Sequence, residues 1–223
     1  MAQLEIACFS VQSAVIAQQA GAHRIELCAD RSVGGITPSI AHFNQILTQV
    51  NLPIYVMIRP RGGNFVYTPA EFEQMKQSVL QFKQAGAHGF VFGCLLENGT
   101  VHPTQNMELL QLAHPLPCTF HRAFDEIQEK EQALQELINL KFHNVLTAGH
   151  QGDALAGIPI LKNMYEQAQG VINILAGGGV RSANATTILV NTGLSWLHSS
   201  AITCGEEADP TEIKSLVMAS QLA

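Results

Sequence analysis

The sequence predicts an α/β fold, a single-domain (β/α)8 TIM barrel over residues 1–223. Three observations predict it. Eight short β-rich runs alternate with helical patterns, and such alternation builds a parallel sheet. A repeat, "QQAGAHRIEL" at Gln18–Leu27 and "KQAGAHGFVF" at Lys83–Phe92, shows one helix-to-strand junction used twice. The chain is 47% hydrophobic over 223 residues, enough for one sizeable core, with no linker or low-complexity segment. Eight units favour a closed barrel over an open, doubly wound sheet.

The strands are read in order as Leu4–Cys8, Arg24–Cys28, Ile54–Arg59, Gly89–Cys94, Cys118–His121, Asn144–Thr147, Val171–Ala176 and Trp196–Ser200. Gly21 and Gly86 close the helices before strands two and four, because a helix commonly ends on a left-handed residue. "NLKFHNVLT" at Asn139–Thr147 is a looser third copy of that junction. In "TPSI", Thr37 is read as a helix cap with Pro38 at the first helical position. In "TPAE", Thr68 and Pro69 take the same roles and Glu71 completes a capping box. Asp209 and Pro210 open the last helix.

Bulk properties exclude several functions. A net charge of −6 with no basic stripe argues against a nucleic-acid partner. No apolar run of about 18 residues is present, so no membrane partner is expected. The first residues lack a basic region followed by an apolar one, so no signal peptide is expected. Five scattered cysteines without CxxC read as reduced thiols, hence a cytoplasmic location.

Side chains alternate along a strand, and the outer face of a barrel strand packs on helices and must be apolar. The polar members of each strand therefore point to the axis. This sets Glu5, Glu26, Arg59, His121 and His198 around one cavity, with Cys28 in the same phase and Cys8 in the opposite one. Arg59, His121, His198 and Ser200 fall at strand C-termini, the face on which barrel enzymes build their sites.

Loops at that face add candidates. "RPRGGNF" after strand three carries Arg59 and Arg61, whose guanidinium forks suit carboxylate or phosphate oxygens. "LAGGGVRSANA" after strand seven carries Gly177, Gly178 and Gly179, followed on strand eight by Ser199 and Ser200. Such a loop lets backbone N–H groups approach a phosphate. "TFHRAFD" ends strand five in His121, Arg122 and Asp125. "DRSVGGITPS" after strand two is a further glycine-bearing loop at this mouth.

The segments "ELCADRSVGGITPS", "VMIRPRGGNFVY", "TFHRAFD", "VLTAG", "AGGGVRS" and "HSSA", taken in order, resemble the CutC family, named for copper homeostasis, from about Leu4 to Ala201. The resemblance implies a (β/α)8 barrel, a cytoplasmic location and a role in copper handling, with copper(I) as the ligand. Family members often carry a cysteine on strand one where this chain has Ala7. Cys28 is thereby left as the single inward thiol and the metal-ligand candidate, since Cu(I) prefers soft thiolates.

Two functions follow. One is copper homeostasis through Cu(I) binding. The other is an isomerase- or lyase-like enzyme acting on a small anionic or phosphorylated ligand. In that reading Glu26, His121 and Asp125 supply acid–base catalysis. Glu5, Arg59, Arg61, Arg122, the Gly177–Gly179 loop, His198, Ser199 and Ser200 hold the substrate. No lysine occupies an inward strand position, which disfavours a Schiff base. A homodimer is compatible with this reading.

Overall fold

Every strand of the computed structural model, which describes residues 2–222, hydrogen-bonds to its sequence neighbours, and β8 closes onto β1. The strands are β1 (Gln3–Cys8), β2 (Arg24–Leu27), β3 (Ile54–Met57), β4 (Gly89–Phe92), β5 (Cys118–Phe120), β6 (Asn144–Thr147), β7 (Asn173–Ala176) and β8 (Trp196–Ser199). All pairs are parallel. The helices are α1 (Val11–Gln19), α2 (Ile40–Leu47), α3 (Pro69–Gln84), α4 (Pro103–Ala113), the short α5 (Ala123–Glu126), α6 (Lys130–Leu140), α7 (Ile158–Ala168), α8 (Ser182–Thr192) and α9 (Pro210–Leu222). This is the (β/α)8 barrel expected from the sequence. Among the described residues, no helix is long and apolar enough to cross a membrane.

The repeated junction has a physical purpose. In each copy a histidine stands just before the strand and grips a residue at the start of the preceding strand at two points. His23, His88 and His143 donate their backbone N–H to the carbonyls of Leu4, Ile54 and Cys118. Their Nδ1 atoms accept the N–H groups of those same residues at 3.1, 3.2 and 3.4 Å. The Leu4, Ile54 and Cys118 N–H groups are thereby satisfied at the barrel's N-terminal rim. Gly21 and Gly86 turn the chain into these junctions with φ of 93° and 97°.

Alternation divides the strands as expected. Ile6, Cys8, Ile25, Val56, Phe90, Phe120, Val145 and Leu197 are fully or almost fully buried in one continuous core with Phe43, Phe82, Leu109 and Leu216 from the helices. Each such side chain contributes about 1.5–3 kcal/mol by leaving water. Cys8 therefore faces the helices. A second, smaller cluster of Cys28, Tyr55, Met57 and Val91 fills the axis. A polar ladder lies alongside: Asn144 Nδ2 donates to Thr119 Oγ1 and Asn173 Nδ2 to Asn144 Oδ1, each at 3.0 Å.

Several local expectations need correction: β4 ends at Phe92 rather than Cys94, and β7 starts at Asn173 rather than Val171. β3 ends at Met57, because the Arg59 N–H turns away from the ladder and donates to Thr37 Oγ1 at 2.8 Å. That bond also takes Thr37 out of its expected role. Helix α2 starts two residues later, capped by Ser39, whose hydroxyl accepts the His42 N–H. The Thr68–Glu71 capping box and Pro69 at the start of α3 are as read from sequence. Asp209 likewise accepts the Thr211 and Glu212 N–H groups at the start of α9.

Candidate functional site

The inward carboxylates of β1 and β2 meet the imidazole of β8 on the barrel axis. Glu5 and His198 are register partners across the closing seam, and Ala7 and Glu26 are partners across the next. Glu5 is fully buried, with one oxygen on Arg24 Nε and the other 2.8 Å from His198 Nδ1. Arg24 is sandwiched between the rings of Tyr55 and Trp196, 4.2 and 4.0 Å from their centres. Burial raises the Glu5 carboxyl, but the Arg24 charge and the His198 bond outweigh it and hold it at about 2. Glu5 is thus an anion, and His198 Nδ1 carries the proton between them.

The other imidazole nitrogen, His198 Nε2, stands 3.7 Å from Glu26 Oε2. Burial raises the Glu26 carboxyl, with the Glu5 charge adding to the effect. His198 is also raised: burial opposes its charge, but Glu26 and Glu5 overcome burial. The two groups therefore compete for one proton. Cys28 Sγ donates to Glu26 Oε2 at 3.4 Å, and Glu26 Oε1 is buried without a partner.

Above this floor opens a cavity of about 260 Å³. Glu26 and His198 lie at its base, Phe9, Met57 and Phe65 form apolar wall, and Arg59 and His121 stand on the β3–β5 side. Gly178, Gly179, Arg181, Ser199 and Ser200 close the β7–β8 side, with Arg122 beside them. The strand phase thus brings Glu26, Arg59, His121 and His198 to one chamber.

His121 has a fixed tautomer. Its Nδ1 accepts the Ala123 N–H at 3.3 Å, so the neutral ring carries its proton on Nε2, which is buried without a partner. Burial, reinforced by the Arg59 charge, pushes the imidazole down to about 3. The ring stacks on Phe65 at 4.8 Å and fits only because the residue after β4 is Gly93, where a Cβ would lie 2.8 Å from Nδ1. His121 is a neutral donor at the cavity, rather than the acid or base expected from its residue type.

The arginines divide. Arg59 spends Nη1 on the carbonyls of Val33 and Gly35 and Nη2 on that of Gly63, tying the β2 and β3 loops together. Its Nε alone is left without a partner. Arg122 is held by Asp125 at 2.6 Å and by the Gly152 carbonyl at 3.0 Å, with its guanidinium against Gly178. Arg181 donates to Ser199 Oγ at 3.0 Å and to the Val180 carbonyl at 2.8 Å. The N–H groups of Gly178, Gly179 and Val180 have no protein partner among the described residues. The Ser199 hydroxyl is committed to Val180 and Arg181, whereas the Ser200 hydroxyl has no such bond among the described residues.

Five expected residues stand outside the cavity, Cys28 among them, with its thiol on Glu26. Arg61 turns outward to Glu71 at 2.6 Å and to the carbonyls of Asn64 and Val66, bracing α3. Asp125 is saturated by Arg122, Thr147 and the Ala148 N–H, so it positions Arg122 rather than reaching a ligand. Glu5 acts through His198. Gly177 lies behind the wall, where a Cβ would come within 2.4 Å of Leu146. Sequence reasoning passed over Arg31 and Arg181, both of which line the cavity. The signal for Arg181 was present in "GGGVR", a cation directly after the glycine loop.

A model of the CutC family matches residues 2–203. The chain is 41% identical to the human copper homeostasis protein cutC homolog over 99% of this chain and 81% of that protein. It is 45% identical to a family protein CutC of Photorhabdus laumondii, over 90% of this chain and 80% of that one. The crystal structure of a protein from Streptococcus agalactiae described as a copper homeostasis protein CutC superposes with a TM-score of 0.86. It is 32% identical and covers 91% of this chain and 100% of that one. The chain belongs to the CutC family.

The CutC name raises the question of copper, and the donor set answers it. Glu5, Glu26 and His198 each offer an atom within 4.8 Å of the others, and they are the metal-capable cluster among the described residues. These are hard or borderline ligands, whereas Cu(I) selects thiolates and thioethers. The single thiol nearby, Cys28, is driven well up by burial and by Glu26, so it stays protonated, and the Met57 thioether in the same axial cluster is left as one neutral soft donor. Glu5 is already neutralised by Arg24, which places a fixed cation beside any metal. The residues of this CutC barrel do not fit a tight Cu(I) site.

Proposed function

We propose that this chain, working in the cytoplasm, binds a small phosphorylated anion at the arginine-lined mouth of its barrel and performs acid–base chemistry on it. On this reading, that activity underlies the copper-homeostasis role for which its relatives are named. One observation carries the proposal: charge is segregated. The protein has a net charge of −6, yet four of its six arginines line the cavity that also holds Glu26 and His198, and none of its six lysines does. Guanidinium forks and unpaired backbone N–H groups recognise phosphate oxygens, and their concentration in one recess supplies the attraction. The cavity lies below the ~300 Å³ at which drug-sized pockets begin, so the ligand is a small metabolite.

A thermal-shift screen of inorganic phosphate, pyrophosphate and phosphorylated metabolites tests the proposal. Melting should rise with at least one phosphorylated compound, and the rise should shrink with added salt. Absence of any shift at millimolar concentration across the panel overturns it.

Direct copper binding keeps one supporting feature, the Glu5–Glu26–His198 cluster. Anaerobic Cu(I) titration against a competing chelator separates the readings. Tight binding that Cys28→Ser abolishes would restore copper as the primary ligand.

A further inference from the structure

We infer that the ligand is a phosphorylated hydroxy-carbonyl compound, with Glu26 moving a proton on the carbon beside the carbonyl and His121 Nε2–H holding the carbonyl oxygen. The inference rests on the anion-site reading above and deepens it. Two orphaned atoms carry it. Glu26 Oε1 and His121 Nε2 are both buried, both without a protein partner, and both belong to residues lining the one cavity. One is an acceptor and the other a donor. A buried polar atom without a partner costs about 1–3 kcal/mol, so a pair of opposite type on residues that line one cavity fits a ligand that satisfies both.

The surroundings fix the role of each. Glu26 Oε2 is occupied by the Cys28 thiol and faced by His198 Nε2, which leaves Oε1 to meet a substrate proton. Glu5 holds His198 from behind, so the proton shared by His198 and Glu26 can sit on the imidazole while Glu26 is the carboxylate base. A carboxyl raised by burial is suited to exchanging protons near neutral pH. On the far side, His121 is pinned by the Ala123 N–H and by Phe65, so its donor is preorganised and needs no reorientation as charge develops. Arg122, Arg181 and the Gly178–Val180 backbone then hold the phosphate, away from the reacting carbons.

The step balances without a co-reactant. Glu26 takes the C–H proton from the hydroxyl-bearing carbon. The C–H electron pair forms a C=C bond, and the carbonyl π pair moves onto oxygen as an enediolate held by His121. The hydroxyl proton passes to that oxygen, Glu26 returns its proton to the former carbonyl carbon, and the carbonyl has moved by one position. Phe9, Met57 and Phe65 shield the enediolate from water.

Proton NMR in D2O tests this with a panel of three- to six-carbon ketose and aldose phosphates and their unphosphorylated counterparts. At least one phosphorylated probe should exchange its carbon-bound proton for deuterium faster than in buffer, while unphosphorylated counterparts stay at the buffer rate. Glu26→Gln should slow exchange by about 100-fold or more while keeping the thermal shift given by the same probe. Because His121→Gln could unfold, nitrogen-15 NMR of wild-type His121 provides a second measurement. It should report a neutral ring protonated on Nε2 at about pH 6, and a histidinium there overturns the role given to His121. Probes that raise melting without exchanging in any case overturn the proton-transfer inference and leave the anion site standing. Probes and inorganic phosphate that all fail to shift melting overturn both.

Discussion

His198 Nδ1 lies 2.8 Å from Glu5 Oε1, and these residues are register partners on the two strands whose pairing closes the barrel. The seam that completes the fold is thus also the contact that orients the imidazole beneath the cavity. Glu5 serves both ends, since its other oxygen holds Arg24 between two aromatic rings.

Glu5→Gln should therefore destabilise the protein strongly. It leaves Arg24 as a buried cation without a counter-charge, and breaking a buried pair in this way costs about 3–5 kcal/mol. The urea midpoint should fall accordingly. The double variant Glu5→Gln, Arg24→Met should recover part of the loss, because no unpaired charge then remains in the core. Equal midpoints for the single variant and wild type would show that Glu5 does not hold Arg24.

The pH dependence of stability should carry opposite signs for the two site histidines. His121 is depressed to about 3 from 6.5, so its contribution is complete above about pH 6.5 and is lost as pH falls toward 3. Glu5, held at about 2 against 4.5, adds a further loss as pH falls below 4.5. His198 is raised above 6.5, so its contribution is complete below that value and is lost as pH rises through its folded pKa. Melting temperature against pH should therefore fall on both sides. His121→Gln should flatten the limb between about pH 6.5 and 3, and His198→Gln the alkaline limb. An acid limb unchanged by His121→Gln would contradict the buried neutral imidazole.

Much of this arrangement was legible in the sequence because strand phase is a geometric rule. Once eight strands were recognised, alternation alone set Glu5, Glu26, His121 and His198 on the axis and Cys8 among the helices, and the structure places them so. Guanidinium partners follow no such rule. Arg61 was within reach of the mouth, but Glu71, already fixed by its capping box with Thr68, offered a closer carboxylate. Arg59 found three loop carbonyls that exist only once the β2 and β3 loops have folded together. The role of Asp125 depended on Thr147 and Ala148, 22 and 23 residues away in sequence, which no local motif reveals.

Two glycine substitutions should separate strain from site damage. Gly86 and Gly178 have similar left-handed backbones, with φ of 97° and 99°. An added Cβ at Gly86 meets nothing within 4 Å. At Gly178 it would lie 3.0 Å from Arg122 Cζ and 3.2 Å from the Ala148 side chain. Gly86→Ala should cost about 1–2 kcal/mol of left-handed strain and leave ligand-induced thermal shifts intact. Gly178→Ala should cost more, displace Arg122 and abolish the shift given by phosphorylated compounds. Retention of that shift would remove the glycine loop from the ligand site.

The arginines give the sharpest separation of site from scaffold. Arg122 and Arg181 line the cavity, whereas Arg61 is spent on Glu71 and loop carbonyls outside it. A hydrogen bond to a charged group contributes about 1.5–3 kcal/mol, which corresponds to roughly 10- to 100-fold in affinity. Arg181→Gln and Arg122→Gln should each weaken binding of a phosphorylated ligand by that factor in calorimetric titration and reduce its salt dependence. Arg61→Ala should lower the melting temperature by loosening the start of α3, with the dissociation constant unchanged. If instead Arg61→Ala abolished binding while Arg181→Gln did not, the ligand would sit on the β3 loop, and the arginine-lined mouth would be a structural clamp between loops.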